Sequence, residues 1–324
     1  MGKSTGSRDL NRGRRRFIGQ ALAGLGVVKI DIKEAFASVT SDELLFRPIP
    51  RTGQLLPAVG LGTSATFARL AGSEDSVRLG EVLSALVSAG GRVIDTAPSY
   101  GDAERVAGQL ASSLGVSDTL FWATKLNVAP RDGRADPAAA WQQLERSRQR
   151  FGVDRIDCVQ VHNVADLDTQ LPILLEAKQA GQVQYVGVTT TFDGQYDTLE
   201  RVMRTGSLDF IGIDYAVDDY QVAEQRLLPL AADQGIAVLA YQPFGRSRLW
   251  DKVRDRALPE WAGAFGAATW AQFFIKFCLS HPAVTVVTPA TSKPAHLLDN
   301  LAAGRGLLPD AAMRDQMKAY IAAL

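Results

Sequence analysis

Three polar residues close short apolar runs in this chain: Asp95 in "RVIDTA", Lys125 in "FWATKLN" and His162 in "CVQVHN". A fourth, Tyr100, follows just past the aspartate in "IDTAPSYG". A carboxylate, a phenol, an ammonium and an imidazole that converge make a proton-delivery site. A tyrosine hydroxyl, with a pKa near ~10, is a weak acid at neutral pH and improves when a nearby cation stabilises the phenolate. Lys125 supplies such a cation. An ammonium at the end of an apolar strand tends to lose its proton unless a counter-charge holds it, and Asp95 is the evident one. A neutral His162 donates a hydrogen bond to a carbonyl oxygen and holds it against Tyr100. A proton donor and an oxyanion binder without an internal nucleophile suit carbonyl reduction, with the hydride brought by a cofactor. Taken singly, the Asp–Lys pair reads as an ordinary ion pair, the histidine as a rim residue and the tyrosine as packing. Their conjunction carries the chemistry.

The fold must bring these distant residues to one place, and the rhythm of the chain shows how. Short apolar runs alternate with amphipathic ones: "LLPAVGLGT" as a first strand, "VRLGEVLSALVSAG" as a helix, "RVIDTA" as the second strand, and onward through "LFWATKLN", "IDCVQVHN", "VQYVGVTT", "FIGIDYAV", "IAVLAYQP" and "AVTVVTPA". With "KPAHLLDNLAAG" as the last helix this makes eight strand–helix units. Strands that are apolar throughout are covered on both faces. A doubly wound sheet shares the alternation, but eight units and no Gly-x-Gly-x-x-Gly after the first strand favour an α/β chain closed as a (β/α)8 TIM barrel. In such a barrel the reacting groups sit where strands end, which is where Asp95, Lys125 and His162 fall. Two stretches break the alternation. "RTG" between short apolar runs predicts an N-terminal β-hairpin across the barrel bottom, and "FGRSRLWDKVRDRALPEWAGAFGA", from Phe244 to Ala267, is a long loop after strand 7.

Composition fits this picture. The chain has 324 residues, 46% of them hydrophobic and 22% charged, enough to bury a large core. Lys plus Arg equal Asp plus Glu at 35 each, which gives no electrostatic reason for a nucleic-acid partner and makes a small molecule the expected ligand. Cys158 and Cys278 lie far apart in apolar runs and read as buried hydrophobes, without a disulfide framework or metal site. The first sixteen residues carry Lys3, Arg8, Arg12, Arg14, Arg15 and Arg16 against one Asp. The uncharged run "FIGQALAGLGVV" follows, too short at ~1.5 Å per residue to span a ~30 Å bilayer. With Ala35-Phe36-Ala37 as a cleavage site, residues 1–37 read as a signal peptide and 44–324 as the barrel, with no stable membrane span in the mature form. "GRRRFIG" resembles the twin-arginine export motif, which implies the twin-arginine export machinery as a partner and the bacterial periplasm as the destination.

"IDTAPSYG", "WATKLN" and "VQVHN", in that order and on successive strands, resemble the aldo-keto reductase superfamily from roughly Leu45 onward. The resemblance implies that Asp95, Tyr100, Lys125 and His162 form a catalytic tetrad that reduces the carbonyl of an aldehyde or ketone substrate with NADPH, NADH being possible. It implies that Tyr241 of "AYQPFG" stacks on the nicotinamide while Gln242, Phe244 and Gly245 line the pyrophosphate. It also assigns Ser292 and Lys293 of "TPATSKPAHLLDN" to the 2′-phosphate and Asn300 to the adenine. Thr189 and Thr190 of "GVTT" stand where the family often has the Ser and Asn that hold the carboxamide. Gly212 stands where the sixth strand often carries Gln, and Ala290 with either Ser292 or His296 replaces the usual Gly and Arg of the eighth-strand segment. These departures favour a competing expectation, a redox-sensing or binding protein that holds nucleotide with little turnover. A lysine Schiff-base aldolase built on Lys125 leaves Tyr100 and the nucleotide segment unexplained. Because free nicotinamide nucleotides are not expected outside the cytoplasm, export predicts a cofactor loaded beforehand and retained. The long seventh loop, with Trp250 and Trp261, would then fold over it, the alternative being that these tryptophans line the substrate pocket or pack on the rim.

Overall fold

The computed structural model of the protein describes residues 43–130 and 133–324. The signal-peptide expectation for residues 1–37 lies outside the described residues. Two short strands, β1 (Phe46–Pro48) and β2 (Leu55–Pro57), pair antiparallel as the expected hairpin, with Phe46 opposite Pro57 and Pro48 opposite Leu55. Ile49 and Leu56 of this hairpin are buried with Val93, Phe121, Tyr185 and Phe210, so it caps one end of the interior core.

Eight parallel strands follow: β3 (Leu61–Gly62), β4 (Val93–Asp95), β5 (Phe121–Leu126), β6 (Ile156–Val161), β7 (Val183–Thr190), β8 (Phe210–Asp214), β9 (Ala237–Tyr241) and β10 (Val286–Val287). Each pairs with its successor, and parallel bridges Val59 to Val287 and Gly62 to Ala290 close the ring. At that seam Gly60 N donates to Val287 O at 2.9 Å and Gly62 N to Pro289 O at 3.0 Å. A Cβ on Gly62 would stand 2.5 Å from Thr288 O, so closure at this point requires glycine. The fold is the (β/α)8 barrel expected from the alternation. The expected first strand, residues 55–63, is two elements: Pro57, without an N–H, ends β2, and only Leu61–Gly62 enters the barrel.

The helices are α1 (Thr66–Ala71), α2 (Leu79–Ser88), α3 (Ala103–Ser113), α4 (Pro137–Phe151), α5 (Leu167–Gln179), α6 (Tyr196–Met203), α7 (Leu228–Gln234), α8 (Arg248–Lys252), α9 (Trp270–Leu279), α10 (Pro294–Ala302) and α11 (Ala311–Ala322). The alternation did not disclose α1, α11 or α8, the last of which lies within the stretch expected as a long loop after strand 7. Helix α1 is only six residues long and opens on Ala65 at φ 52°, a start without a capping side chain. By contrast α4 starts as its sequence dictates, with Pro137 in the first turn and the Asp136 side chain accepting from Ala138 N at 2.9 Å.

Strand alternation sorts the core into two layers. Val93, Phe121, Ala123, Cys158, Tyr185, Phe210, Ala237 and Leu239 fill the barrel interior, while Ile94, Trp122, Val159, Val186, Val188, Ile211 and Val238 face the helices. Counting on by twos from the interior set reaches Asp95, Lys125, Gln160, Thr189, Gly212 and Tyr241. The polar site is therefore the next layer of the same packed interior. Both cysteines are free and buried, and Cys278 Sγ donates to Tyr215 O at 3.1 Å.

Candidate active site

The centre of the site is an ion pair. Lys125 Nζ donates to Asp95 Oδ1 at 2.7 Å and to Thr96 O at 2.9 Å, and the lysine is 1% exposed. A carboxylate oxygen at this distance favours the charged ammonium over the neutral amine. Burial acts against that charge, but Asp95 and Tyr100 outweigh it and hold the amine above the ordinary lysine value. Burial pushes the Asp95 carboxyl upward in turn, opposed by Lys125 and by the Tyr241 hydroxyl.

Tyr100 and His162 complete the rim. The ammonium lies 5.6 Å from the Tyr100 ring centre, and the Tyr100 and His162 rings meet edge to face at 6.0 Å. Burial raises the Tyr100 phenol; Lys125 pulls it down, and Asp95 and Asp214 add to the rise, leaving it above its usual range. His162 falls from 6.5 to about 3 through burial and the nearby Lys125, so it is neutral at physiological pH. Its Nδ1 lies 3.5 Å from Ser99 Oγ. The sequence-predicted tetrad is thus one cluster.

A crevice of about 1120 Å³ opens beside it, lined by all four tetrad residues and by Thr189, Tyr241, Gln242 and Phe244. Ser292, Lys293 and Asn300 line it as well. Two expected contacts do not reach it. Thr190 follows the inward-facing Thr189 and so points away; its Oγ1 donates to Gln195 Oε1 at 2.5 Å and accepts from Phe192 N at 3.1 Å. Gly245 is buried against the Asp218 carboxylate and shapes the turn without lining the crevice. The two tryptophans of the long loop part company: Trp250 lines the crevice with its ring 4.9 Å from Phe244, whereas Trp261 packs against Phe273 and Tyr320.

Other crevice residues had no part in the sequence argument. Asn163 lines the wall beside His162, with its N–H 3.4 Å from Thr189 Oγ1. Arg246 ties the β9 loop across to Asp214 Oδ2 at 2.8 Å and Thr191 O at 2.9 Å. It does so from a backbone bent to positive φ at Gln242 (54°), Arg246 (52°) and Ser247 (77°), strain held by the surrounding loop. Burial, opposed by Arg246, lifts Asp214 to about 7. Gln160 is buried beneath His162 and its Nε2 donates to the Tyr241 hydroxyl at 3.1 Å. Strand alternation would have flagged Gln160, a polar residue two positions before His162 on the same face. Arg246 and Asn163 sit on loops and carry no such signal.

A (β/α)8 barrel with an Asp–Lys pair, a phenol and a neutral imidazole at the ends of neighbouring strands defines a class of oxidoreductase. Residues 58–320 match the family model described as the aldo/keto reductase family, and the chain belongs to that family. An aldo-keto reductase of Strobilurus tenacellus is 27% identical over 299 residues, covering 79% of this chain and 87% of its own. The NADH-specific methylglyoxal reductase of Escherichia coli is 28% identical over 249 residues, covering 69% and 74%. Among solved structures, an aldo/keto reductase from Klebsiella pneumoniae in complex with NADP and acetate superposes with a TM-score of 0.68 at 25% identity, covering 83% of this chain and 93% of its own. The holo form of an aldo-keto reductase from Bacillus halodurans has the same fold, with a TM-score of 0.69 at 19% identity over 86% and 96% of the two chains.

Proposed function

We propose that the protein reduces aldehyde or ketone carbonyls with a nicotinamide nucleotide, using Tyr100 as the proton donor. The observation that carries this reading is the Lys125–Asp95 pair at 2.7 Å set beneath Tyr100 and beside a neutral His162. His162 donates its one N–H to the carbonyl oxygen and aligns it with the phenol. Tyr100 then delivers its proton to that oxygen as charge develops there, and the ammonium, pinned by Asp95 and Thr96, faces the phenolate left behind. A bound nicotinamide nucleotide supplies the hydride.

The crevice suits such a group. Gln242 and Thr288 line it, and each has a buried side-chain oxygen with no hydrogen-bond partner among the described residues, which fits a polar ligand at this wall. Tyr241 supplies a flat aromatic face, with Phe244 and Trp250 farther along the same loop. The Ser292 and Lys293 side chains support NADPH as the cofactor, with NADH the alternative. A second reading, a protein that holds nucleotide with little turnover, is favoured by the raised pKa of Tyr100, which makes it a weaker acid. Export by the twin-arginine route to the periplasm belongs to the proposal and rests on "GRRRFIG" with the apolar run that follows it.

The test is to titrate NADPH and NADH into the wild type and Tyr100→Phe by fluorescence, then follow nucleotide oxidation with a panel of aldehydes. The reductase reading expects binding in both proteins and turnover in the wild type only. Binding without turnover in the wild type supports the second reading, and equal turnover in Tyr100→Phe removes Tyr100 from the chemistry.

A further inference from the structure

Tyr241 reaches across the barrel from β9 to the carboxylate on β4. Its hydroxyl donates to Asp95 Oδ1 at 3.0 Å, the same oxygen that accepts from Lys125 Nζ at 2.7 Å, and it accepts from Gln160 Nε2 at 3.1 Å. The ring, in the crevice wall and 5.3 Å from the ammonium, lies where the neighbouring strand has no side chain. A Cβ on Gly212 would stand 2.4–2.6 Å from the ring atoms and the hydroxyl of Tyr241, so the ring holds this position only because β8 has glycine there. An unbroken chain of contacts thus runs from Gln160 on β6 through Tyr241 to the tetrad carboxylate.

The geometry points to Tyr241 as a positioning residue that shares Asp95 Oδ1 with Lys125 and thereby sets how much of the lysine's charge remains for the Tyr100 phenol. The inference rests on the reductase reading for its consequence in turnover, but not for its physical basis. A carboxylate oxygen that accepts a second hydrogen bond neutralises its cation less completely. Without the Tyr241 hydroxyl, Asp95 would be the stronger counter-charge, and Tyr100 would feel more of the anion and less of the cation. The charged and titratable groups that bear on Tyr100 come from four strands: Asp95 on β4, Lys125 on β5, Asp214 on β8 and Tyr241 on β9, with His162 following β6. Of these, Tyr241 adjusts the pair without carrying a charge of its own at neutral pH.

The experiment is a spectrophotometric titration of Tyr100. The tyrosinate absorbance that appears with rising pH in each protein, less that of the same protein carrying Tyr100→Phe, isolates this phenol whether or not any substrate is turned over. In Tyr241→Phe the midpoint is expected to rise by about one pH unit, a tenfold change in acidity. Gln160→Leu, which removes the brace and leaves the ring, is expected to shift it in the same direction by less and serves if Tyr241→Phe folds poorly. A midpoint unchanged in both variants, with melting temperatures alone altered, would overturn the inference and reduce Tyr241 to packing. Turnover measured alongside separates the two claims: wild-type reductase activity that depends on Tyr100, with unmoved midpoints, refutes only the role of Tyr241.

Discussion

The tetrad floor and the wall built by β10 and the start of α10 are made on opposite plans. At the floor, Asp95, Lys125, Gln160 and Tyr241 are buried, and one hydrogen-bonded chain joins them. At the wall, Lys293 and His296 are exposed, Ser292 is half-buried, and the buried Thr288 hydroxyl has no partner among the described residues. The difference teaches where each task is done. Proton delivery needs groups fixed in a dry, packed interior before substrate arrives. In the proposed reading, grip on a nucleotide tail falls to the exposed side chains of the wall.

Substitutions that sharpen this contrast fall in a clear order. Lys125→Met should be the most damaging, because it strands a buried carboxylate: stability is expected to fall by about 3–5 kcal/mol in a denaturant titration, and turnover by about a thousandfold. His162→Ala, which removes the carbonyl donor but no buried charge, is expected to lower kcat/KM by about a hundredfold with the melting temperature nearly unchanged. Since His162 titrates at about 3, the wild-type rate should show no histidine limb between about pH 5 and 8. At the wall, Lys293→Ala should weaken NADPH by about fivefold and leave NADH and kcat unaffected, as calorimetric titration of the two nucleotides would show. A loss in kcat there would erase the distinction between the regions.

The smallest expected effect is a pH dependence at the β8 edge. Asp214 rises from 3.8 to about 7 on folding, so the folded chain binds its proton more tightly than the unfolded chain does. Its favourable contribution is complete below the unfolded pKa and is lost as pH climbs from 3.8 to about 7. Asp157, raised from 3.8 to about 6 by burial, acts with the same sign over a narrower range. Asp214→Asn should flatten the fall in melting temperature between about pH 6 and 7, where Asp157 has little left to contribute. An unchanged slope would contradict this assignment.

Half of the floor, Asp95 and Lys125, was legible in the sequence because strand periodicity and chemistry coincide there, whereas Gln160 was passed over and Tyr241 came only through family resemblance. Asp95 and Lys125 are polar residues at inward positions of otherwise apolar strands, and a polar interior residue announces itself. The wall was legible only through family resemblance, since loops lack a period. Thr190 shows the limit: "GVTT" offers two hydroxyls, and only the alternation of the pleat decides that Thr189 faces the crevice and Thr190 faces Gln195. The exchange of Gln for Gly at residue 212 reads as a loss in the sequence, whereas in space it is the clearance for Tyr241. The split first strand and helix α1 escaped because two-residue and six-residue elements give too little pattern to read.

The central claim is that hydride transfer to a carbonyl at this rim depends on the proton of Tyr100. A single-turnover measurement tests it most directly: the wild type and Tyr100→Phe, each loaded with reduced nucleotide carrying deuterium at its hydride position, are mixed with an aldehyde and the alcohol is analysed by mass. The account predicts deuterium on the former carbonyl carbon with the wild type, and almost none with Tyr100→Phe despite equal nucleotide bound. Deuterium transferred at the same rate by both proteins would contradict it.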